Sequence, residues 1–404
     1  MFNAPKPWSA VALTLLLALT VALPAVAEWN AGLEAYNKRD YATAVKEFED
    51  VTKTNPDYAG GYYMLGLSQR AAGNLSPALA SLRKAIELDP ENASYKVGLG
   101  QGLLQAGQYQ EAYTTLKGVN IASLDAKHRS NYALLFSQAA TKTNRNSEAI
   151  QVLNSQIRGD SSNARLYQAL GVAENANGND PAAFAAFKKA YDLNPKDAAT
   201  GRNAVKAGIA SARRASGAQK DQYYGQAAQV AEKLASNNPT FEHKLLAGEA
   251  YLGAGNYPKA VAWFDQAKAD QSQNALVYYY LGQSHTSMNQ LNTAIGDLQT
   301  ALKMGPSGKL RTQIHNQMGY TYDKKKDYAK AAQSYEAAGN SAKKAEMMKK
   351  SEMQKDNQAA DAERADFERK LRGLELQIQE LEAIGEVEEA NELRKQLEEL
   401  KKAL

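Results

Sequence analysis

The chain has 404 residues, 44% hydrophobic and 23% charged, which suits two or three ordinary domains or one extended array and rules out disorder along its whole length. Its formal charge of +4 is modest for that length, and no dense Lys/Arg stripe interleaved with aromatics is present, so nucleic acid is not an expected partner. Cysteine is absent, which removes disulfides and thiolate chemistry and leaves stability to packing.

The first element, residues 1–27, has Lys6 ahead of an apolar run from Ala10 to Leu23, then Pro24 and the small-residue triplet Ala25-Val26-Ala27. This is the pattern of a secretory signal peptide cleaved before Glu28, so the chain is expected to be exported, periplasmic or secreted. The stretch from Trp8 to Ala27 approaches the ~20 residues that span a bilayer. Membrane attachment is therefore expected only if the signal stays uncleaved, and Pro24 would break such a helix at its end. With no cysteine at the cleavage site, lipid anchoring is excluded, and no later segment is apolar enough to span.

Residues 28–340 repeat with a period of 34. Counting Ala59 as position one, Tyr62 is fourth, Leu65 and Gly66 seventh and eighth, Gly73 fifteenth, Ala78 twentieth, Leu82 twenty-fourth, Ala85 twenty-seventh and Pro90 thirty-second. The frame returns in full from Ala164 (Tyr167, Leu170, Gly171, Gly178, Ala183, Phe187, Ala190, Pro195) and from Ala275 (Tyr278, Leu281, Gly282, Ala294, Leu298, Ala301, Pro306). Weaker copies include Gly32, Ala44 and Phe48; Gly100, Gly107 and Ala112; Gly248, Gly255, Ala260 and Phe264; and Gly319, Ala331 and Tyr335. Glycine at position eight and alanine at position twenty let two helices cross closely, and the prolines close the second helix.

These positions resemble the signature of the tetratricopeptide repeat (TPR) family. The resemblance implies an all-α fold, a right-handed TPR α-solenoid of about nine helix-turn-helix units, and a non-catalytic protein-protein interaction scaffold. It further implies that first helices line a concave groove through unit positions two, five, nine and twelve. Here those positions include Tyr63, Arg70, Gln101, Gln138, Arg165, Gln168, Asn175, Tyr279, Gln283, Asn316 and Tyr320. An amide-rich lining dotted with tyrosine suits an extended peptide, because amides pair with backbone groups and tyrosine offers rigid area. Trp29 and Leu33 stand where the chaperone-binding members carry Lys and Asn, so a terminal-carboxylate clamp is not expected. Extra residues fall after Val119, between Ala198 and Pro239, and near Gly305 to Lys309. The second insertion predicts a lengthened turn over Gly217 to Gln222.

From Ser341 to Leu404 the composition changes to 13 Lys/Arg and 16 Asp/Glu without tyrosine or proline, a solvated helical segment. Phe367, Leu371, Leu374, Ile378 and Leu381 form one heptad seam, and Ala390, Leu393, Leu397, Leu400 and Leu404 a second beyond Gly385. Two short amphipathic helices folded as a charged helical hairpin or coiled coil are expected, with Phe367, Leu371, Leu374, Ile378, Leu381, Leu393, Leu397 and Leu400 contacting a partner helix. Glu386 to Lys401 resembles the second helix of the hairpin by which nucleotide-excision-repair proteins dock on each other, which implies docking geometry.

No catalytic cluster stands out. His128, His243, His285 and His315 are scattered over different units without metal-ligand spacing, so no metal or other cofactor is expected. His315 falls at a core position, and His285 near the inner surface. Gly98 to Gly102, reading GLGQG, lacks the preceding strand and following Lys-Ser/Thr of a phosphate loop. The expected role is an envelope adaptor with protein partners in the groove and at the tail. The alternative is an assembly protein that self-associates, as a homo-oligomer, through the tail.

Overall fold

The computed structural model describes residues 27–402, so the signal expectation for 1–27 falls, all but its last residue, outside the described residues, as does Leu404. Every regular element among the described residues is helical. After α1 (27–37) come α2 (Tyr41–Thr54), α3 (Ala59–Ala71), α4 (Leu75–Leu88), α5 (Ala93–Gln105), α6 (Tyr109–Lys117), α7 (Ala126–Lys142), α8 (Asn146–Gly159), α9 (Ala164–Ala176) and α10 (Asp180–Leu193). They are followed by α11 (Ala198–Arg214), α12 (Gly217–Asn237), α13 (Phe241–Gly253), α14 (Tyr257–Asp270), α15 (Ala275–Ser287), α16 (Leu291–Lys303), α17 (Gly308–Lys324), α18 (Tyr328–Ala337), α19 (Ser341–Ile384) and α20 (Val387–Lys402). None of these helices is long and apolar enough to cross a membrane. Tertiary contacts divide the chain into two compact units, one ending at Ala254 and one beginning at Gly255.

Side-chain caps fix many helix starts. Asp125 Oδ1 accepts from the His128 N–H at 2.8 Å at the head of α7, and Asp40 and Asn340 do the same for α2 and α19. Pro90, Pro195 and Pro306 follow the ends of α4, α10 and α16, as the sequence predicts.

In the first unit, Ala44, Ala78, Ala112, Ala149 and Ala183 are fully buried at position twenty, paired with a glycine at position eight except for Ala149, whose pair has Ser137 there. The glycine itself meets the large residue at position twenty-four. A Cβ on Gly66 would sit 2.6 Å from Leu82 Cγ and 3.1 Å from the Ala78 carbonyl, and one on Gly100 would sit 2.5 Å from Leu116 Cγ. The core is continuous from Leu79 to Ala173. Trp29 packs edge-on against Phe48 at 5.5 Å, and Leu33 packs on the same cluster, so both belong to the core of the first pair. Ion pairs such as Arg83–Glu111 at 2.8 Å join successive second helices, exposed and worth less than about 1 kcal/mol each.

Position fifteen has one backbone conformation in every pair except α11/α12. It is left-handed at Gly73, Gly107, Gly178 and Gly255, and equally at Arg39, Asn144, Asn289 and Lys326, with φ between 60° and 64° at these four. The turn therefore demands that geometry whichever residue is present, and Arg39 and Lys326 bear its steric cost of about 1–2 kcal/mol. Lys326→Gly should consequently stabilise the second unit by up to about 1 kcal/mol, once the chain entropy of glycine is subtracted. A thermal melt in which the variant unfolds at or below the parent temperature would refute this.

The insertion between Ala198 and Pro239 corrects the expected long turn. Residues 217–222 are the first turns of α12, and the connection from α11 is only Ala215 and Ser216. The extra residues lengthen both helices of that pair, to 17 and 21 residues. Gly208, at no signature position, makes their approach possible, since a Cβ there would be 2.9 Å from Ala227 Cβ and 3.0 Å from Phe184 Cε2. Of the other two insertions, the first forms the 3-10 turn Ile121–Ser123, and the one near Gly305 lengthens α17 to 17 residues.

The second unit carries its own core, from Tyr279 to Met347. Buried Thr286 and Thr321 hydroxyls bond at 2.9 Å between α15 and α17. Met347 is fully buried, so the first turns of α19 pack on the helices before them, helped by Lys344–Glu336 at 2.6 Å. The helix then continues through residues 355–366, all exposed. The expected short first tail helix is thus a 44-residue one. It ends at Gly385, φ 85°, where the Glu386 N–H returns to the Leu381 carbonyl and the Gly385 N–H to the Glu382 carbonyl. Helix α20 folds back on it. Ile378 and Ala390 are buried, while Phe367, Leu371, Leu374, Leu381, Leu393, Leu397 and Leu400 are half-buried.

Candidate protein-binding face

The first helices of successive pairs in the first unit touch one another, α3 on α5, α5 on α7, α7 on α9 and α11 on α13. Position five, nine and twelve residues of one therefore stand beside positions two, five and nine of the next. Between α7 and α9 this arrangement leaves a cavity of about 270 Å³. Leu134, Ala169 and Val172 supply its apolar surface, with Val172 46% exposed, and Gln138, Thr141, Lys142, Arg165 and Gln168 supply its polar lining. A second cavity, about 640 Å³, shares Leu134 and Arg165 with the first and extends past Lys127, Asn131 and Asn163.

The polar groups differ in how far they are already engaged. Gln168 Nε2 donates to Asp197 Oδ2 at 3.2 Å, and Asp197 also accepts from the Thr200 hydroxyl, so that amide is held in place. The Lys142 ammonium lies 5.8 Å from the centre of the Tyr109 ring. The Arg165 guanidinium, exposed where the two cavities meet, makes no ion pair among the described residues.

Of the residues that the family resemblance assigned to the groove, the structure gathers Gln138, Arg165 and Gln168 around one cavity. Tyr63 and Arg70 lie further along the same unit. Tyr63 is tilted against Tyr95 at 4.8 Å with burial raising its pKa, and the buried Arg70 Nη1 has no hydrogen-bond partner among the described residues. Gln101 is half-buried on α5, and Asn175 is exposed near the end of α9. In the second unit the assigned residues are more occupied. Tyr279 is buried in the core and its hydroxyl accepts from Gln283 Nε2 at 2.8 Å. Asn316 donates to the Thr312 carbonyl and accepts from Asn340, while Tyr320 is 46% exposed with the Lys324 ammonium over its ring.

Leu134, Ala169 and Val172 are not among the groove residues expected from the sequence, which are polar or tyrosine. Leu134 and Val172 occupy positions five and nine, so the same family positions point to both. A further feature of the face is ionic: Arg213 pairs with Glu249 at 2.7 Å and Lys206 with Glu242 at 3.3 Å, linking α11 to α13. Burial pushes the Glu249 carboxyl above its ordinary range, with Arg213 and Lys206 acting in the opposite sense.

The histidines are engaged locally. His285 Nδ1 is 2.6 Å from Asp297 Oδ2, His128 Nδ1 is 2.7 Å from Asp125, and the buried His243 places Nδ1 2.7 Å from the Asn238 carbonyl. His315 is half-buried, and burial and then Arg311 hold its pKa below the usual value. Among the described residues no group of three His, Asp or Glu is arranged to hold a metal.

A tetratricopeptide repeat model matches residues 30–79, 63–117, 134–198 and 212–275, more than half of the chain, and a second model of that repeat matches 312–338. The chain belongs to the tetratricopeptide repeat family. It is 26% identical over 159 residues to tetratricopeptide repeat protein 37 of Xenopus laevis, covering 39% of this chain and 10% of that protein. It is 33% identical over 63 residues to heat shock protein STI1 of Saccharomyces cerevisiae, covering 16% of this chain and 11% of that one. The matches thus span only about a tenth of the length of these curated relatives. Among solved structures, the C-terminal part of a TPR repeat-containing protein from Cytophaga hutchinsonii aligns with a TM-score of 0.44 at 15% identity, over 69% of this chain and 96% of that one. TPR repeats generally mediate protein-protein interaction, and the fold is typically a non-catalytic scaffold.

Proposed function

We propose that this TPR protein is an exported adaptor that holds extended segments of other proteins on the concave face of its first unit, at the cavity between α7 and α9. The observation that carries this reading is the cavity's composition: an apolar surface of Leu134, Ala169 and Val172 beside amides, a hydroxyl and an unpaired guanidinium. The space suits one large apolar side chain of the bound segment. Gln138 and Thr141 are placed to pair with backbone groups beside it, and Arg165 with a neighbouring carboxylate. Export to the periplasm or medium rests on the signal-like residues 1–27.

A displayed random-peptide library panned against the chain tests the binding half. Peptides with an aliphatic or aromatic residue next to Asp or Glu should be enriched. Ala169→Trp, which fills the cavity, should weaken their binding at least about tenfold, or ~1.4 kcal/mol. Arg165→Glu should remove the acidic preference. Equal enrichment by the parent and Ala169→Trp would eliminate this site. N-terminal sequencing of the exported fraction tests the other half, and a mature chain should begin at Glu28.

A further inference from the structure

The hairpin of α19 and α20 is electrically polarised along its length. Between residues 373 and 393, around the Gly385 turn, there are seven glutamates and no Lys, Arg or Asp. At the opposite end, residues 367–372 and 394–402 hold seven Lys/Arg against three Glu. Residues 370 and 384 are about 21 Å apart at 1.5 Å per residue. That is roughly twice the Debye length at 0.1 M salt, so the ends act as separate patches. Two ion pairs, Arg394 with Glu382 and Lys401 with Glu375, close the hairpin internally, while Glu380, Glu386 and Glu392 make none among the described residues.

Two helices cannot cover the apolar residues these helices carry. Most seam leucines stay half-exposed, and Leu376 is 59%, Ile384 73% and Val387 59% exposed. A shallow cavity lies at Leu381, Ile384 and Leu393. Gly373, one turn before Leu376, has nothing among the described residues within 4 Å of where a Cβ would be, so the surface is open there.

We propose that the α19/α20 hairpin pairs with the same hairpin of a second copy of this chain, side by side and antiparallel, so that each acidic turn lies along the other's basic end. The pairing is isologous, as a two-fold axis requires, and covers Leu376, Ile384 and Val387. Parallel pairing is opposed because it brings seven glutamates of one copy beside seven of the other. A bundle of four helices satisfies the exposed seam in the way a hairpin of two cannot.

The test uses the full chain in light scattering at low salt. One variant, Glu380→Lys with Glu386→Lys and Glu392→Lys, cancels nearly all the net negative charge of the turn end, and another, Lys370→Glu with Arg372→Glu and Lys395→Glu, makes the basic end net acidic. The parent should be a dimer that dissociates at least tenfold more readily when salt rises from 0.05 to 0.5 M. Each variant alone should be a monomer with parental helix content, and an equimolar mixture should restore the dimer. A monomeric parent overturns the proposal. So does a dimer that both variants retain, which would locate the contact elsewhere, or a mixture that stays monomeric.

Discussion

Replacing Phe184 with alanine should destabilise the first unit by about 3–5 kcal/mol, in the range of large aromatic truncations in packed cores. The ring is 2% exposed and touches the place where Gly208 lets α11 approach, with Tyr223 of α12 edge-on at 6.3 Å. It therefore fills the junction of α10, α11 and α12, the one pair whose helices are both lengthened. Neighbours on three helices cannot all collapse into the vacated volume, so the cavity contribution adds to the lost transfer energy. Hydrogen exchange by mass spectrometry should show the effect in α10, α11 and α12, accelerated by about two orders of magnitude or more where exchange needs opening of the unit. Unchanged protection in those helices would contradict this packing argument.

The second large effect is expected at Gly171. A Cβ there would lie 2.6 Å from Cδ1 and 2.7 Å from Cγ and Cε1 of Phe187, a ring 4% exposed and hemmed in by its own pair. Gly171→Val should therefore cost about 3 kcal/mol, the upper part of the usual overpacking range. Gly225 in α12 provides the contrast, because nothing lies within 4 Å of its would-be Cβ. Gly225→Ala should stabilise by about 0.5–1 kcal/mol, the ordinary gain for a helix interior. Urea titrations of both variants measure the difference. Comparable shifts of the midpoint in the same direction would show that position eight is not a close crossing. Gly171 also lies between Ala169 and Val172, so separating α9 from α10 should disturb the cavity and weaken peptide capture in Gly171→Val even where the unit stays folded.

These two residues differ in how they could be found. Gly171 and Phe187 are sixteen positions from each other within one period, and their contact is internal to a single helix pair. Every such contact was legible as a residue type recurring at fixed spacing. The Phe184 site was not, because Gly208 occupies no signature position and the inserted residues there read as a turn. Adding turns to two adjoining helices leaves their amphipathic pattern intact, so composition alone could not distinguish a longer loop from longer helices.

The candidate site divides in the same way. Gln138, Arg165 and Gln168 were named from their positions and do surround one cavity. Leu134 and Val172, which make it apolar, were missed, and Tyr279, assigned to the groove on equal grounds, is buried in the second unit's core. Periodicity specifies the side of a helix on which a residue lies. It does not specify how far the next helix leans over that side.

By itself, the amino-acid sequence determined the repeat, its helix pairs, the small and large residues at their crossings, and the charge polarity of the last helices, since all of these follow from contacts or charges within about one period. Tertiary structure decided which groove positions form a cavity, how far α19 runs before Gly385 turns it, and where the contacts divide into two units. The physical reason is that these depend on angles between neighbouring pairs, which arise from the summed volumes of many side chains, and no single spacing encodes them.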